Sequence, residues 1–206
     1  MYRLFVSAPL SSWSLRPWIL LKELAIPFET KQLRYDLDAV KRHESFAQVS
    51  PTAKVPCLYH NGEVVWDSLA IVEYIAEDYP QVWAEDKKAR AWSRSACAEM
   101  HSGFSALREV CGFNPLEDVP LASIPDDVQA DLRRINQLWE EGLARFGGPF
   151  LAGNRFTAVD AFFAPVASRM ATYHLESMLN PLALAYQQRL LALPSFAIWT
   201  GRKKTA

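Results

Sequence analysis

Residues 53–80, AKVPCLYHNGEVVWDSLAIVEYIAEDYP, constrain the fold more than any other part of this chain. Asn61-Gly62 lies between the largely apolar runs Cys57-Leu58-Tyr59 and Glu63-Val64-Val65-Trp66. Asn and Gly tolerate the positive φ that a two-residue hairpin turn demands, so this arrangement predicts a tight β-hairpin. Val55-Pro56 stands at its entrance, and Asp67-Ser68 at its exit marks a helix start. Leu69, Val72, Ala76 and Tyr79 follow at spacings of three and four, which gives that helix one apolar face. Pro80 stops it. The block reads strand, turn, strand, helix.

The preceding segments complete a βαβαββα order. Tyr2–Val6 reads as a buried strand, and residues 7–10, with Pro9, as a loop. Ser11-Ser12-Trp13-Ser14 leads into an apolar helix running to about Leu24, with Pro17 in a first turn that needs no N–H there. Residues 28–33 read as a second strand and the charged stretch 36–48 as a short helix. The first three elements fit a βαβ unit. Past a polar linker at 85–88 every periodic segment is helical. Residues 87–109 carry the stripe Ala89, Trp92, Ala96, Met100, Phe104 and Leu107. Residues 126–147 carry a second stripe, from Val128 to Phe146. Thr157, with Asp160 three positions on, is a capping-box variant ahead of Val159, Phe162, Phe163, Val166 and Met170. A further helix runs from Asn180-Pro181 to Leu193, then a last turn around Trp199 and a basic tail, Arg202-Lys203-Lys204.

Composition excludes several classes. A net charge of -1 gives no electrostatic case for nucleic acid or an anionic membrane. No apolar run approaches the roughly 18–20 residues of a membrane span, and the start of the chain does not read as a signal peptide. Three cysteines without a CxxC predict reduced core thiols in a cytoplasmic protein. No His/Cys/Asp/Glu grouping has metal-ligand spacing, so no metal is expected.

Two places carry chemistry. Ser11, Ser12 and Ser14 put three hydroxyls in four positions at a helix start, more than a cap requires. Ser68 sits at a second helix start, where free N–H groups and the dipole suit a carboxylate, and Asp67 offers an anion for an ammonium. Arg16 adds positive potential beside the serines.

The ordered block Val55-Pro56, hairpin, Asp67-Ser68, helix with Glu73-Tyr74-Ile75 resembles the second half of the thioredoxin-like domain of cytosolic glutathione transferases. SSWSLRPWILL is similar to the zeta-like signature SSCxWRVRIAL of serine-type members, and the T-x-x-D box also recurs in the family. The resemblance covers nearly the whole chain. It implies a thioredoxin-like domain at 1–80 followed by an all-α domain at 87–206, with glutathione as co-substrate and its thiolate attacking a soft electrophile in detoxification. Ser11 then contacts the sulfur, with Ser12 and Ser14 as competitors. Pro56 is cis, and the backbone of Val55 pairs with the cysteinyl part of glutathione. Asp67 and Ser68 hold the γ-glutamyl end, while Lys41, His43 and Lys54 are candidates for the glycine carboxylate. Trp13, His101, Ser105 and Arg108 line the electrophile pocket. Thr157 and Asp160 form a folding element outside the site.

The resemblance also implies a homodimer pairing the first domain of one chain with the second domain of the other. That sets Asp67 beside residues 105–108 of the second copy. Tyr74, Tyr79, Trp83 and Trp92, close in sequence, read as an apolar patch that such pairing would cover. The sequence departs from the zeta-like signature at Trp13, which stands where the cysteine belongs. That counts against maleylacetoacetate isomerase and removes the reactive thiol of omega- and beta-like classes. A glutathione-dependent isomerase, dehalogenase or peroxidase, or a non-catalytic glutathione- or protein-binding member, stays open.

Overall fold

A computed structural model describes residues 1–201. Strands β1 (Tyr2–Val6), β2 (Phe28–Gln32), β3 (Cys57–His60) and β4 (Glu63–Trp66) form one sheet in the order β2-β1-β3-β4. β1 and β2 are parallel, joined through helix α1 (Ser12–Glu23), whereas β3 is antiparallel to both β1 and β4. Asn61 (φ 51°) and Gly62 (φ 89°) close the β3–β4 hairpin, with His60 opposite Glu63. Positive φ at both positions matches the twist of the flanking strands. Helix α2 (Ala39–Ala47) is shorter than the 36–48 expected, because the Asp38 carboxylate accepts the Val40 and Lys41 N–H groups and so fixes the first turn. Helix α3 (Ser68–Asp78) buries Ile71, Val72 and Ile75.

The second half is all helical: α4 (Lys87–Ser102), α5 (Ser105–Val110), α6 (Asp126–Phe146), α7 (Ala158–Thr172), α8 (Pro181–Leu191) and α9 (Pro194–Thr200). α7 is its axis. Phe162, Phe163, Val166 and Met170 are fully buried, and α7 packs against α1, α4 and α8. A helix apolar all round has to be enclosed by others. The contact of α7 with α1 is what brings the two halves together at the serine end of α1. The Thr157–Asp160 box is present, and the Asp160 carboxylate also accepts the Leu151 N–H (3.0 Å) and the Tyr186 hydroxyl (2.9 Å). Burial pushes that carboxyl up to about 6.

Three expectations change. The single helix over 87–109 is two, because Gly103 is extended (φ −113°, ψ −163°) and Phe104 is left-handed (φ 54°, ψ 43°). A Cβ at 103 would sit 2.8 Å from the Glu99 carbonyl oxygen, so the break needs glycine. Helix α1 begins at Ser12, so Pro17 lies inside it rather than in the first turn, and the Trp13 carbonyl loses its helical donor. Trp83 is no part of an apolar surface patch: it is 2% exposed and its indole N–H donates to Glu73 (3.2 Å). Tyr74, Tyr79 and Trp92 are half-buried against the core. The basic tail Arg202-Lys203-Lys204 lies outside the described residues. Cys57, Cys97 and Cys111 are buried and unbridged.

Candidate active site

A cleft of about 940 Å³ opens between the start of α1, helix α2 and the turns before β3 and α3 on one side, and α5 and α7 on the other. Ser11, Ser12, Val55, Pro56, Asp67 and Ser68 all line it. Ser11 is the N-cap of α1: its Oγ accepts the Ser14 N–H at 3.2 Å. That contact uses a lone pair and leaves the hydroxyl proton available. Ser12 is the first helical residue, and its Oγ accepts from Nη2 of Arg169 at 3.4 Å. Ser14 is fully buried, its Oγ has no partner, and it does not reach the cleft.

The Val55–Pro56 peptide is cis. Across from it, Asp67 is the N-cap of α3 at φ 75°, ψ 134°, a conformation that a side-chain-bearing residue rarely adopts. One carboxylate oxygen accepts the Leu69 and Ala70 N–H groups at 2.8 and 3.4 Å, and the other meets Nε2 of His101 at 3.1 Å. The cap is therefore Asp67, and Ser68 opens the helix. Ser68 is 1% exposed, and its hydroxyl accepts from Nη1 of Arg16 at 3.3 Å.

His101 stands behind this pair rather than on the cleft wall. Its Nδ1 lies 3.4 Å from Nη1 of Arg16. A guanidinium only donates, so Nδ1 accepts and the ring proton is on Nε2, facing Asp67. Burial, with help from Arg16 and Arg108, holds the imidazole below its ordinary value against the opposing pull of Asp67, consistent with this neutral tautomer. Burial likewise pushes Arg16 down to about 9 and Arg169 to about 10, each also lowered by Arg108, and both stay cationic at pH 7.

Lys54 and His43 line the cleft. Lys41 is exposed and lies outside it, because neighbouring positions on α2 point about 100° apart and Arg42 takes the inward direction. Trp13, at the start of α1, and Arg108, on α5, line the cleft from its two sides, with the Arg108 guanidinium 4.5 Å from the Trp13 ring centre. Ser105 is exposed and away from the cleft. Sequence reasoning missed Arg42, Phe113 and Arg169. Arg169 carries one usable signal, a lone cation in the otherwise apolar run of α7.

Comparison with known proteins agrees with this architecture. Residues 10–78 match the glutathione S-transferase N-terminal domain and residues 90–192 the glutathione S-transferase C-terminal domain. A glutathione S-transferase-like protein of Beauveria bassiana is 27% identical, covering 91% of this chain and 85% of that protein. A "Probable maleylacetoacetate isomerase" of Caenorhabditis elegans is 24% identical over 90% of this chain and 86% of its own. Among solved structures, a glutathione transferase homologue from Burkholderia with bound glutathione superposes with a TM-score of 0.71 at 25% identity, covering 100% of this chain and 99% of that one. The chain belongs to the glutathione S-transferase family.

Proposed function

We propose that the cleft binds glutathione and that the enzyme joins its sulfur to a soft electrophile, with a serine hydroxyl at the start of α1 steadying the thiolate. The observation that carries this is the convergence of Ser11, Ser12, Val55 and Ser68 on one cleft. A free thiol has a pKa near 8.5, so only a few per cent is thiolate at pH 7. A hydroxyl proton and the positive end of α1 both favour the anion. Ser11 is the donor: its lone pair is held by the Ser14 N–H, which polarises the O–H toward the cleft. Ser12, backed by Arg169, is the competitor. The backbone of Val55, which lines the cleft, pairs with the cysteinyl part, Ser68 and Asp67 take the γ-glutamyl end, and Lys54 with His43 takes the glycine carboxylate. Three buried, unbridged thiols suit a reducing cytoplasm. The working form is a homodimer.

The test is turnover of 1-chloro-2,4-dinitrobenzene with glutathione, together with glutathione calorimetry. Ser11→Ala lowers kcat about 10- to 100-fold, the scale of one hydrogen bond to a charged group, and moves glutathione affinity far less. Full activity in Ser11→Ala with loss in Ser12→Ala transfers the role to Ser12. A wild-type protein that gives no glutathione heat ends the reading.

A further inference from the structure

Three guanidinium groups close on the Ser12–Trp13 step. Arg16 and Arg108 lie 4.1 and 4.5 Å from the Trp13 ring centre. Arg169, 7% exposed, donates to the Cys111 carbonyl and reaches Ser12. None of the three forms an ion pair among the described residues, and the Arg108 guanidinium makes no hydrogen bond there either. The buried Nε of Arg16 has no partner. Elsewhere three arginines do have acid partners: Arg94 with Glu73 at 2.9 Å, Arg134 with Glu99 at 2.7 Å and Arg145 with Glu141 at 3.3 Å. Like charges gathered in a partly dry site without an acid oppose folding, so an anion from outside is the natural complement. Among the described residues the sole acid on the cleft wall is Asp67, whose oxygens already face α3 amides and His101.

We propose that the wall formed by Trp13, Arg108, Phe113 and Arg169 is a carboxylate site, and that the electrophile carries a carboxylate on a planar conjugated frame. This rests on the glutathione reading and deepens it. Glutathione leaves this wall unanswered, because its two carboxylates are met by the Lys54 side of the cleft and by Ser68. Its thiolate meets the serines. A guanidinium fork matches a carboxylate in two parallel hydrogen bonds, and the Trp13 and Phe113 rings offer faces to a flat conjugated system.

The experiment uses two probe pairs. Calorimetry without glutathione compares 3,5-dinitrobenzoate with 3,5-dinitrobenzamide. Turnover compares 4-chloro-3,5-dinitrobenzoate with its amide, each kcat/KM divided by the uncatalysed rate. In that step the sulfur–carbon bond forms at the chlorinated carbon, chloride leaves with the bonding pair, and the thiol proton passes to buffer. The wild type favours the carboxylate about 10-fold or more in both assays, the scale of a charge-assisted pair. Arg108→Gln brings the preference within about 3-fold, Arg108→Lys, a point charge without the fork, retains only part of it, and Lys54→Gln leaves it in place. The proposal is overturned by a wild type without preference, by Arg108→Gln lowering both probes equally, or by Lys54→Gln abolishing the preference. Glutathione calorimetry is read separately: if it fails while the benzoate preference holds, the glutathione reading falls and the anion site stands.

Discussion

His101 reaches from the helical half into the first half and steadies a residue that its own backbone geometry opposes. Asp67 stays at φ 75° with both carboxylate oxygens tied, one to α3 and one to His101. Removing the imidazole as donor, in His101→Phe, loosens that carboxylate and weakens glutathione binding about 2- to 10-fold, the range of one modest hydrogen bond. Calorimetry checks it, and unchanged affinity removes His101 from the role. The same contact sets a pH effect. The folded imidazole is held below its ordinary value, so its contribution to stability is complete above about pH 6.5 and is lost as pH falls through the lower folded value. Protonation turns Nδ1 into a donor facing the Arg16 guanidinium, with Arg108 close by and only Asp67 opposing. Urea midpoints at pH 7.5 and 5.5 should therefore differ more for the wild type than for His101→Phe. Equal differences would dismiss the coupling. At this scale much of the cleft was legible in the sequence. Ser11, Ser12, Val55, Pro56, Asp67 and Ser68 each belong to a local pattern that also dictates backbone shape. Arg42 and Arg169 belong to none: they reach the cleft through helix rotation and through packing of α7 on α1, which one sequence does not display.

At the scale of elements, the hairpin and the striped helix α6 lay where periodicity placed them, whereas the striped span 87–109 divided in two and other helix ends moved with side-chain caps. The split between α4 and α5 turns on one close approach at Gly103, and spacing alone runs straight through it, since Met100, Phe104 and Leu107 keep a helical interval and are all buried. Gly142, inside α6, presents the same conflict in testable form. Alanine is the better helix former by about 1 kcal/mol. Yet a Cβ at 142 would sit 2.5 Å from the Trp92 ring and 2.8 Å from the Leu151 carbonyl oxygen, and that backbone has little freedom to withdraw. Overpacking of this kind costs about 1–3 kcal/mol, so it wins: Gly142→Ala should lower stability in chemical denaturation. A stabilised variant would show that α4 and α6 separate without penalty. Asp160 sets the start of α7 in the same physical sense. Asp160→Ala strands the Leu151 N–H, the Thr157 N–H and the Tyr186 hydroxyl in a buried position and should cost about 3 kcal/mol or more. A loss under about 1 kcal/mol would mean that water replaces the carboxylate there.

At the scale of the molecule, the open question is what covers β4. It is one of the two outer strands of the sheet, and outer strands in stable proteins are blunted or covered. Val64, Val65, Trp66, Leu69 and Ala70 line a groove of about 630 Å³ between this strand and α3, and Trp66 is 45% exposed. With Trp83 enclosed in the core, this groove, rather than a patch centred on Trp83, is an apolar surface available for pairing. An exposed tryptophan beside an apolar groove marks an interface, and a second copy of the chain is the occupant that two-fold symmetry favours. Asp67 borders the groove as well as the cleft, so pairing would stiffen the proposed γ-glutamyl subsite. Sedimentation equilibrium at micromolar concentration should give twice the chain mass of 23.3 kDa. Leu69→Glu places a charge in the groove and should shift the equilibrium to single chains while weakening glutathione binding in parallel. Circular dichroism unchanged from the wild type would show that the fold itself is intact. A wild-type mass of one chain would end the dimer. A dimer that Leu69→Glu leaves whole would move the interface to another face.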